Sequence, residues 1–205
     1  RGEGPDGDED EKIDLVAGTS AEHIDAGTTA QIENGTFNIT SNRGSSSSSS
    51  TDSASVKGIK AGGDITISGG TFNLTCEDDG LHSNSNVTVS GGTFTISTGD
   101  DGIHADSKTS ISGGTINITE SYEGIEGTKV EISGGTINLK SSNDGFNAAG
   151  GKDESGFGGG FDRDNFGSSD ASITISGGKI TIDADGDGVD SNGSITVTGG
   201  ETYIF

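Results

Sequence analysis

The chain has 205 residues, with 33 acidic and 11 basic side chains and a formal net charge of −22 at pH 7. This charge argues against a nucleic-acid partner, because the protein would repel the phosphates. The sequence also lacks a long apolar run, so it predicts no membrane span.

The first segment of the chain, residues 1–12, reads RGEGPDGDEDEK. Its high density of charge and its lack of large apolar side chains predict a disordered acidic linker. The folded part is therefore expected to begin at residue 13 and to extend to residue 205.

A short motif repeats along the folded part. The string SGGT or a close variant recurs with its first glycine at positions 69, 91, 113, 134, 177 and 199, and NGT at 34–36 opens the series. The spacing is 21 or 22 residues except where extra segments intervene. A fixed period of this length predicts a solenoid, in which stacked repeats share one core.

Each repeat contains three short runs with the pattern of a β-strand. In the run TFNLT, Phe72 and Leu74 alternate with polar residues, which predicts one buried and one exposed face. A second alternating run precedes each SGG, as at Val87 and Val89, and a third apolar position follows each acidic turn, as at Leu81. Three strands per repeat predict an all-β fold, a right-handed parallel β-helix with coils of about 22 residues.

Two inserted segments interrupt the period. Residues 41–52 are rich in serine and residues 150–169 are rich in glycine, and both are predicted to be loops. The second loop carries Phe157, Phe161 and Phe166, which would either cap one face of the helix or contact a ligand. The chain stops partway through a coil, so we expect a fragment of a longer β-helix domain. The open ends of such a fragment have unpaired strand edges, which allow end-to-end self-association.

An acidic turn with a central glycine also recurs once per repeat, and alignment on this glycine gives two columns. The residues just before the glycine are Lys57, Asp79, Asp101, Glu123, Asp144 and Asp187, and those two positions after it are Lys60, His82, His104, Glu126, Asn147 and Asp190. Stacked coils lie about 4.8 Å apart. Like charges at that distance repel by roughly 3 kcal/mol at an effective dielectric constant near 20, and a cation between the coils would relieve the repulsion.

The predicted cofactor is Ca²⁺, because the turns offer carboxylate, amide and carbonyl oxygens. The candidate metal ligands are Asp78, Asp79, Asp100, Asp101, His104, Glu123, Glu126, Asp144, Asp185, Asp187 and Asp190. They form three predicted clusters: Asp79 with Asp100, Asp101 and His104; Asp101 with Glu123 and Glu126; and Asp144 with Asp185, Asp187 and Asp190. The alternative is that these aspartates only form turns, since Asp before Gly is favoured where the chain reverses.

The SGGT coils with DDGI turns resemble the bacterial carbohydrate-binding β-helix domains that are themselves similar to calcium-dependent pectate lyases. The resemblance implies calcium at Asp100, Asp101 and His104 with Asp79, and at Asp187 and Asp190 with Asp144. His104 stands where the lyase turn has a second aspartate, which departs from that pattern. The resemblance further implies a secreted or cell-surface bacterial protein that binds cellulose or an acidic plant polysaccharide such as polygalacturonate.

Two groups of residues are candidates for contact with a polysaccharide. The predicted contacts are His82, His104 and Asn147 in the acidic columns, and Thr71, Asn73, Thr93, Thr95, Thr115 and Asn117 on an outward strand face. The chain has no tryptophan and only two tyrosines, so the outward face would bind sugars through hydroxyl and amide groups rather than by stacking. The alternative is that these are ordinary outward strand residues.

Other functions are compatible with parts of the pattern. A pectate-lyase-type reaction needs a base near the calcium, and the basic residues of the acidic columns are Lys57 and Lys60. A lysine among carboxylates keeps its proton, so the sequence favours a non-catalytic protein. A structural or adhesive surface protein that stacks into filaments is a further alternative.

Overall fold

The computed structural model describes residues 19–21, 23–41, 56–149 and 170–205, which form 22 strands joined by turns and contain no helix. The strands are β1 Thr19–Ala21, β2 Ile24–Ala26, β3 Ala30–Ile32, β4 Thr36–Ser41, β5 Ile59–Ala61, β6 Ile65–Ile67, β7 Thr71–Cys76, β8 Leu81–Ser83, β9 Asn86–Val89, β10 Thr93–Thr98, β11 Ile103–Ala105, β12 Lys108–Ile111, β13 Thr115–Glu120, β14 Ile125–Glu126, β15 Lys129–Ile132, β16 Thr136–Ser141, β17 Phe146–Ala148, β18 Ser172–Ile175, β19 Lys179–Ala184, β20 Val189–Ser191, β21 Ser194–Val197 and β22 Glu201–Ile204.

Every third strand pairs in parallel with its equivalent in the next coil, so the strands form three sheets. Sheet A has eight strands in the order β1-β4-β7-β10-β13-β16-β19-β22, sheet B has seven in the order β2-β5-β8-β11-β14-β17-β20, and sheet C has seven in the order β21-β18-β15-β12-β9-β6-β3. The register joins equivalent residues, for example Phe72 to Phe94 and Phe94 to Ile116. The predicted parallel β-helix is therefore confirmed.

The core lies between the three sheets and is built from the predicted inward positions. Phe72, Leu74, Leu81, Val87 and Val89 are all buried, with at most 2% of their surface exposed. Because equivalent residues stack, the rings of Phe37, Phe72 and Phe94 lie nearly parallel in one column. The ring centroids are 4.8 Å apart for Phe37 and Phe72 and 4.5 Å apart for Phe72 and Phe94.

The two glycines of each SGG motif meet two different requirements of stacking. A Cβ on the first glycine would collide with a carbonyl of the preceding coil, as at Gly91, where it would lie 2.3 Å from the Ser68 oxygen. The second glycine adopts a positive φ, as at Gly92 with φ of 100°, which side chains disfavour. Close backbone approach and chain reversal thus explain why the motif recurs.

The predicted linker at residues 1–12 and the loop at 150–169 lie outside the described residues, as do positions 42–52 of the serine-rich loop. Ser41 was expected to begin that loop, but it ends strand β4, and its hydroxyl donates a 2.6 Å hydrogen bond to the Val56 carbonyl. Among the described residues, no helix is long and apolar enough to cross a membrane.

Replacing Gly91 by alanine should destabilise the fold, because the added methyl group would force the Ser68 carbonyl out of its place in the stack. We expect a loss of about 1–3 kcal/mol, the usual cost of overpacking. Gly27→Ala is the matched control, since a Cβ at Gly27 would meet nothing within 4 Å. Thermal unfolding of both variants measures the difference, and equal melting temperatures would contradict this role of the glycine.

Candidate functional site

The acidic columns lie along sheet B and form what we term the acidic row: Lys57, Asp78, Asp79, His82, Asp101, His104, Glu123, Glu126, Asp144, Asn147, Asp187 and Asp190. Much of this row is buried, with exposed fractions of 0% for Asp79, 5% for Asp101 and 1% for His104. Each turn brings the residue before the glycine next to the residue three positions later, as where His82 Nδ1 lies 2.7 Å from Asp79 Oδ2. The charges therefore face one another inside the turn rather than the solvent.

Lys57 provides a positive charge at the first of these turns. Its ammonium donates hydrogen bonds to Asp78 Oδ1 at 3.0 Å and to Asp79 Oδ2 at 2.5 Å. Burial alone would raise the pKa of Asp79, but the hydrogen bond from His82 and the charge of Lys57 bring it well below its usual value. The other oxygen of Asp79 accepts the backbone N–H of Asp101 at 3.0 Å, so this carboxylate also ties two coils together.

His104 provides the positive charge at the next turn. Its Nδ1 lies 3.1 Å from Asp101 Oδ2 and 2.7 Å from Glu126 Oε2, and its Nε2 lies 3.3 Å from Asp106 Oδ1. Both ring nitrogens face carboxylate oxygens, so both must donate and the ring is an imidazolium. Burial opposes this charge, but the hydrogen bonds to Asp101, Asp106 and Glu126 raise the pKa of His104 far above its usual value. The ring also stacks on that of His82 at 4.8 Å.

The structure groups the predicted metal ligands differently from the sequence. In the described part of the chain, ligand atoms within 4.8 Å of one another occur in two sets of three, Asp78 with Asp79 and Asp100, and Asp101 with His104 and Glu126. Asp100 thus lies with Asp78 and Asp79 of the preceding turn, whereas the sequence predicted that it would also lie with His104. Both sets already contain or touch a cation of the chain, because Lys57 binds two members of the first set and His104 belongs to the second.

Glu123 lies in the next coil without such a cation. Its Oε2 accepts a hydrogen bond from Asn147 Nδ2 at 2.8 Å, and its Oε1 accepts one from Asn143 Nδ2 at 3.3 Å. Burial and the negative charge of Glu126 raise the pKa of Glu123 from 4.5 to about 7 despite these bonds. The negative charge of the Glu123 carboxylate is therefore poorly compensated by its neighbours.

The predicted third cluster spans the last two turns of the row, with Asp144 in one and Asp185, Asp187 and Asp190 in the next. Asp144 Oδ1 accepts the backbone N–H of Asp187 in the next coil at 2.7 Å, so this carboxylate ties two coils together, as Asp79 does. Burial raises the pKa of Asp144, and the charges of Asp190 and Asp187 add to this rise against that hydrogen bond. Asp185 and Asp187 are exposed and Asp190 is half-buried.

The predicted sugar contacts divide into buried and open groups. In the acidic row, His82, His104 and Asn147 have exposed fractions of only 5%, 1% and 8%, and each is hydrogen-bonded to neighbouring side chains. The predicted contacts on sheet A all point outward: Thr71, Asn73, Thr93 and Thr95 are exposed, and Thr115 and Asn117 are half-buried.

The outward side of sheet A forms an ordered array that we term the threonine–asparagine face. It is defined by two ranks in register, Thr36, Thr71, Thr93, Thr115 and Thr136, and Asn38, Asn73, Thr95, Asn117 and Asn138. Side-chain amides of neighbouring coils bond to each other, with Asn73 Nδ2 2.8 Å from Asn38 Oδ1 and Asn138 Nδ2 2.9 Å from Asn117 Oδ1. The array is uncharged and regular over five coils.

Sequence reasoning missed three residues that bond to side chains of the acidic row. Lys57 was considered only as a possible base, although its place in the column of Asp79 signals an ion pair across one coil. Asp106 and Asn143 lie outside both columns, so the alignment gave no signal that they contact His104 and Glu123.

The free energy of unfolding should decrease as the pH rises from about 4.5 to 7 in a chelating buffer. Because the pKa of Glu123 is raised to about 7, the folded state retains a proton that the unfolded state releases over this range, and stability falls. The contribution is at most roughly 3 kcal/mol. Above pH 6.5 the raised pKa of His104 acts in the same direction. Chemical unfolding of wild type and Glu123→Gln at several pH values checks this, since the variant should show a shallower slope below pH 7 and an unchanged slope would contradict it.

In a comparison with protein families, one family model matches part of the chain. Residues 10–102 match the model of a family described as "Carbohydrate-binding domain-containing protein". Comparison with curated proteins and with solved structures finds no significant match. The matched segment includes the Lys57 turn and the first three coils of the threonine–asparagine face.

Proposed function

We propose that this protein is a non-catalytic polysaccharide-binding β-helix whose ligand lies on the threonine–asparagine face. The observation that carries the proposal is the register of this face, which repeats hydroxyl and amide groups on successive coils. The similarity of residues 10–102 to a carbohydrate-binding family supports the same class of ligand.

The dimensions and chemistry of the face suit a long sugar polymer. Its five strands, each of six residues, lie about 4.8 Å apart and rise about 3.3 Å per residue, which gives a surface of roughly 19 Å by 20 Å. Hydroxyl and amide groups both donate and accept hydrogen bonds, as sugar hydroxyls do. Each contact is weak, but a polymer that meets several coils at once gains from their effective concentration.

The proposed ligands are cellulose and acidic plant polysaccharides such as polygalacturonate, and they make different demands on the protein. A net charge of −22 repels a polyuronate, so its binding needs a divalent cation, for which we propose Ca²⁺, to bridge carboxylates of the two partners. Neutral cellulose needs no such bridge. Both polymers lie outside cells, and we accordingly place the protein in the secreted or cell-surface fraction.

The state of Lys57 supports a binding role over a lyase reaction. Elimination from a uronate needs a base that can accept a proton. The ammonium of Lys57 is buried and bonded to Asp78 and Asp79, so it neither reaches a ligand nor gives up its proton readily.

Removing hydroxyl groups from the face should weaken polysaccharide binding. In the triple variant Thr71→Val, Thr93→Val and Thr115→Val, shape and strand propensity are kept while three hydroxyls are lost, and we expect at least a tenfold loss of affinity if each contributes about 0.5–1.5 kcal/mol. The matched control is Thr66→Val, Thr88→Val and Thr174→Val, whose residues point outward from sheet C. Pull-down with insoluble cellulose measures both, and equal binding of the two variants would refute this location.

Chelation should separate the two ligand classes. Polygalacturonate binding is expected to fall strongly when EDTA replaces calcium, because the bridge between like charges is lost, whereas cellulose binding should persist. Binding isotherms for both polymers, with unfolding monitored in the same buffers, make this comparison. If both polymers are released while the protein remains folded, the assignment of calcium to uronate binding alone is wrong.

A further inference from the structure

The acidic row contains its own cations in one half only. Lys57 pairs with Asp78 and Asp79, and His104 pairs with Asp101 and Glu126. The row then continues towards the C-terminus with Glu123, Asp144, Asp187 and Asp190. Within residues 56–149 and 170–205, no lysine, arginine or histidine side chain forms an ion pair with any of these four carboxylates.

Asn147, in this second half of the row, has a buried oxygen atom without a hydrogen-bond partner in the described part of the chain. The residue is 8% exposed, and its Nδ2 donates to Glu123 Oε2 at 2.8 Å. That bond fixes the orientation of the amide, since the opposite orientation would turn its oxygen towards the carboxylate. The amide Oδ1 is buried and has no hydrogen-bond partner among the described residues. A buried oxygen without a partner costs about 1–3 kcal/mol, so it calls for a donor or a cation.

On the C-terminal side of Asn147 lie carboxylates of the next turn. Strand β17 pairs with β20 so that Asn147 stands beside Asp190, and the charges of Asp190 and Asp187 both act on Asp144. These carboxylates are not among the sets of described ligand atoms that lie within 4.8 Å of one another. A bound cation would therefore have to draw these carboxylates closer together than they stand in this structure.

We infer that the gap between the coils of Asn147 and Asp190 is a binding site for one hard divalent cation such as Ca²⁺, held by Asn147 Oδ1 and the carboxylates of Asp144 and Asp190. The turns that contain Lys57 and His104 are not cation sites, because an ammonium and an imidazolium already occupy the equivalent positions. The row is thus compensated internally at one end and by a bound ion at the other.

The donor atoms of this gap and its access to solvent both suit calcium. All of them are oxygens, whereas the His104 turn offers ring nitrogens that are already hydrogen-bonded to carboxylates. Calcium takes six to eight oxygen ligands in flexible geometry, which accommodates donors that must draw together. Asp187 on the same turn is exposed, so the site has an open side where water, or a uronate carboxylate, completes the coordination.

The inference rests on the proposed function in one respect, the role given there to Ca²⁺, but its test needs no polysaccharide. Calcium chloride is titrated by calorimetry into the chelator-treated full chain, and melting temperatures are measured with calcium and with EDTA. Asp190→Asn should lower the calcium affinity by about tenfold, a loss of roughly 1.4 kcal/mol, and should reduce the calcium-induced rise in melting temperature. Asp78→Asn, in the Lys57 turn, is the matched control and should leave calcium affinity within about twofold of wild type.

Asn147→Asp provides a second variant with effects of opposite sign. The added carboxylate should raise calcium affinity, while in EDTA it should lower the melting temperature, because it places a negative charge against Glu123. No calcium binding by wild type at millimolar concentration, or loss of affinity in Asp78→Asn with none in Asp190→Asn, would overturn the inference. Cellulose binding retained in that case would leave the proposal for the threonine–asparagine face intact, so the two failures are distinguishable.

Discussion

Backbone hydrogen bonding between successive coils is the constraint on which the rest of this structure depends. It holds equivalent residues about 4.8 Å apart, so whatever one coil places at a position meets its counterpart directly above and below. For apolar positions this is favourable, as in the parallel stack of Phe37, Phe72 and Phe94. For the backbone it demands glycine wherever a carbonyl of the neighbouring coil approaches closely, as at Gly91.

The same constraint makes an acidic turn costly, because a repeated carboxylate becomes a column of like charges. Burial increases the cost, since water no longer screens the column. The chain offsets it by replacing one member of the column with Lys57 and by inserting His104 between carboxylates of two coils. Burial and neighbouring charges raise the pKa values of Glu123 and Asp144, where neither replacement occurs, and they also raise that of Asp101 despite its contact with His104.

The two candidate surfaces, the acidic row and the threonine–asparagine face, therefore differ in burial and in charge. The acidic row is largely buried and internally bonded, so its side chains mainly govern how firmly the coils stack. The threonine–asparagine face is open and uncharged, and its groups are available to a ligand at the spacing of the coils. This division gives a protein with a net charge of −22 an uncharged surface, which the proposed binding of a hydroxyl-rich polymer requires.

The sequence by itself determined the coil period, the three strands of each coil, the inward positions such as Phe72 and the outward ranks of sheet A. These follow from local chemistry, because strand alternation and glycine spacing act within a single repeat. Only the tertiary structure decided that the acidic turns from Asp79 to Glu123 are buried, that Asp100 groups with Asp79 and that the oxygen of Asn147 is left without a partner among the described residues. A repeat pattern specifies which residues stack, but turn torsions and side-chain rotamers across two coils determine which atoms face each other and how deeply they are buried.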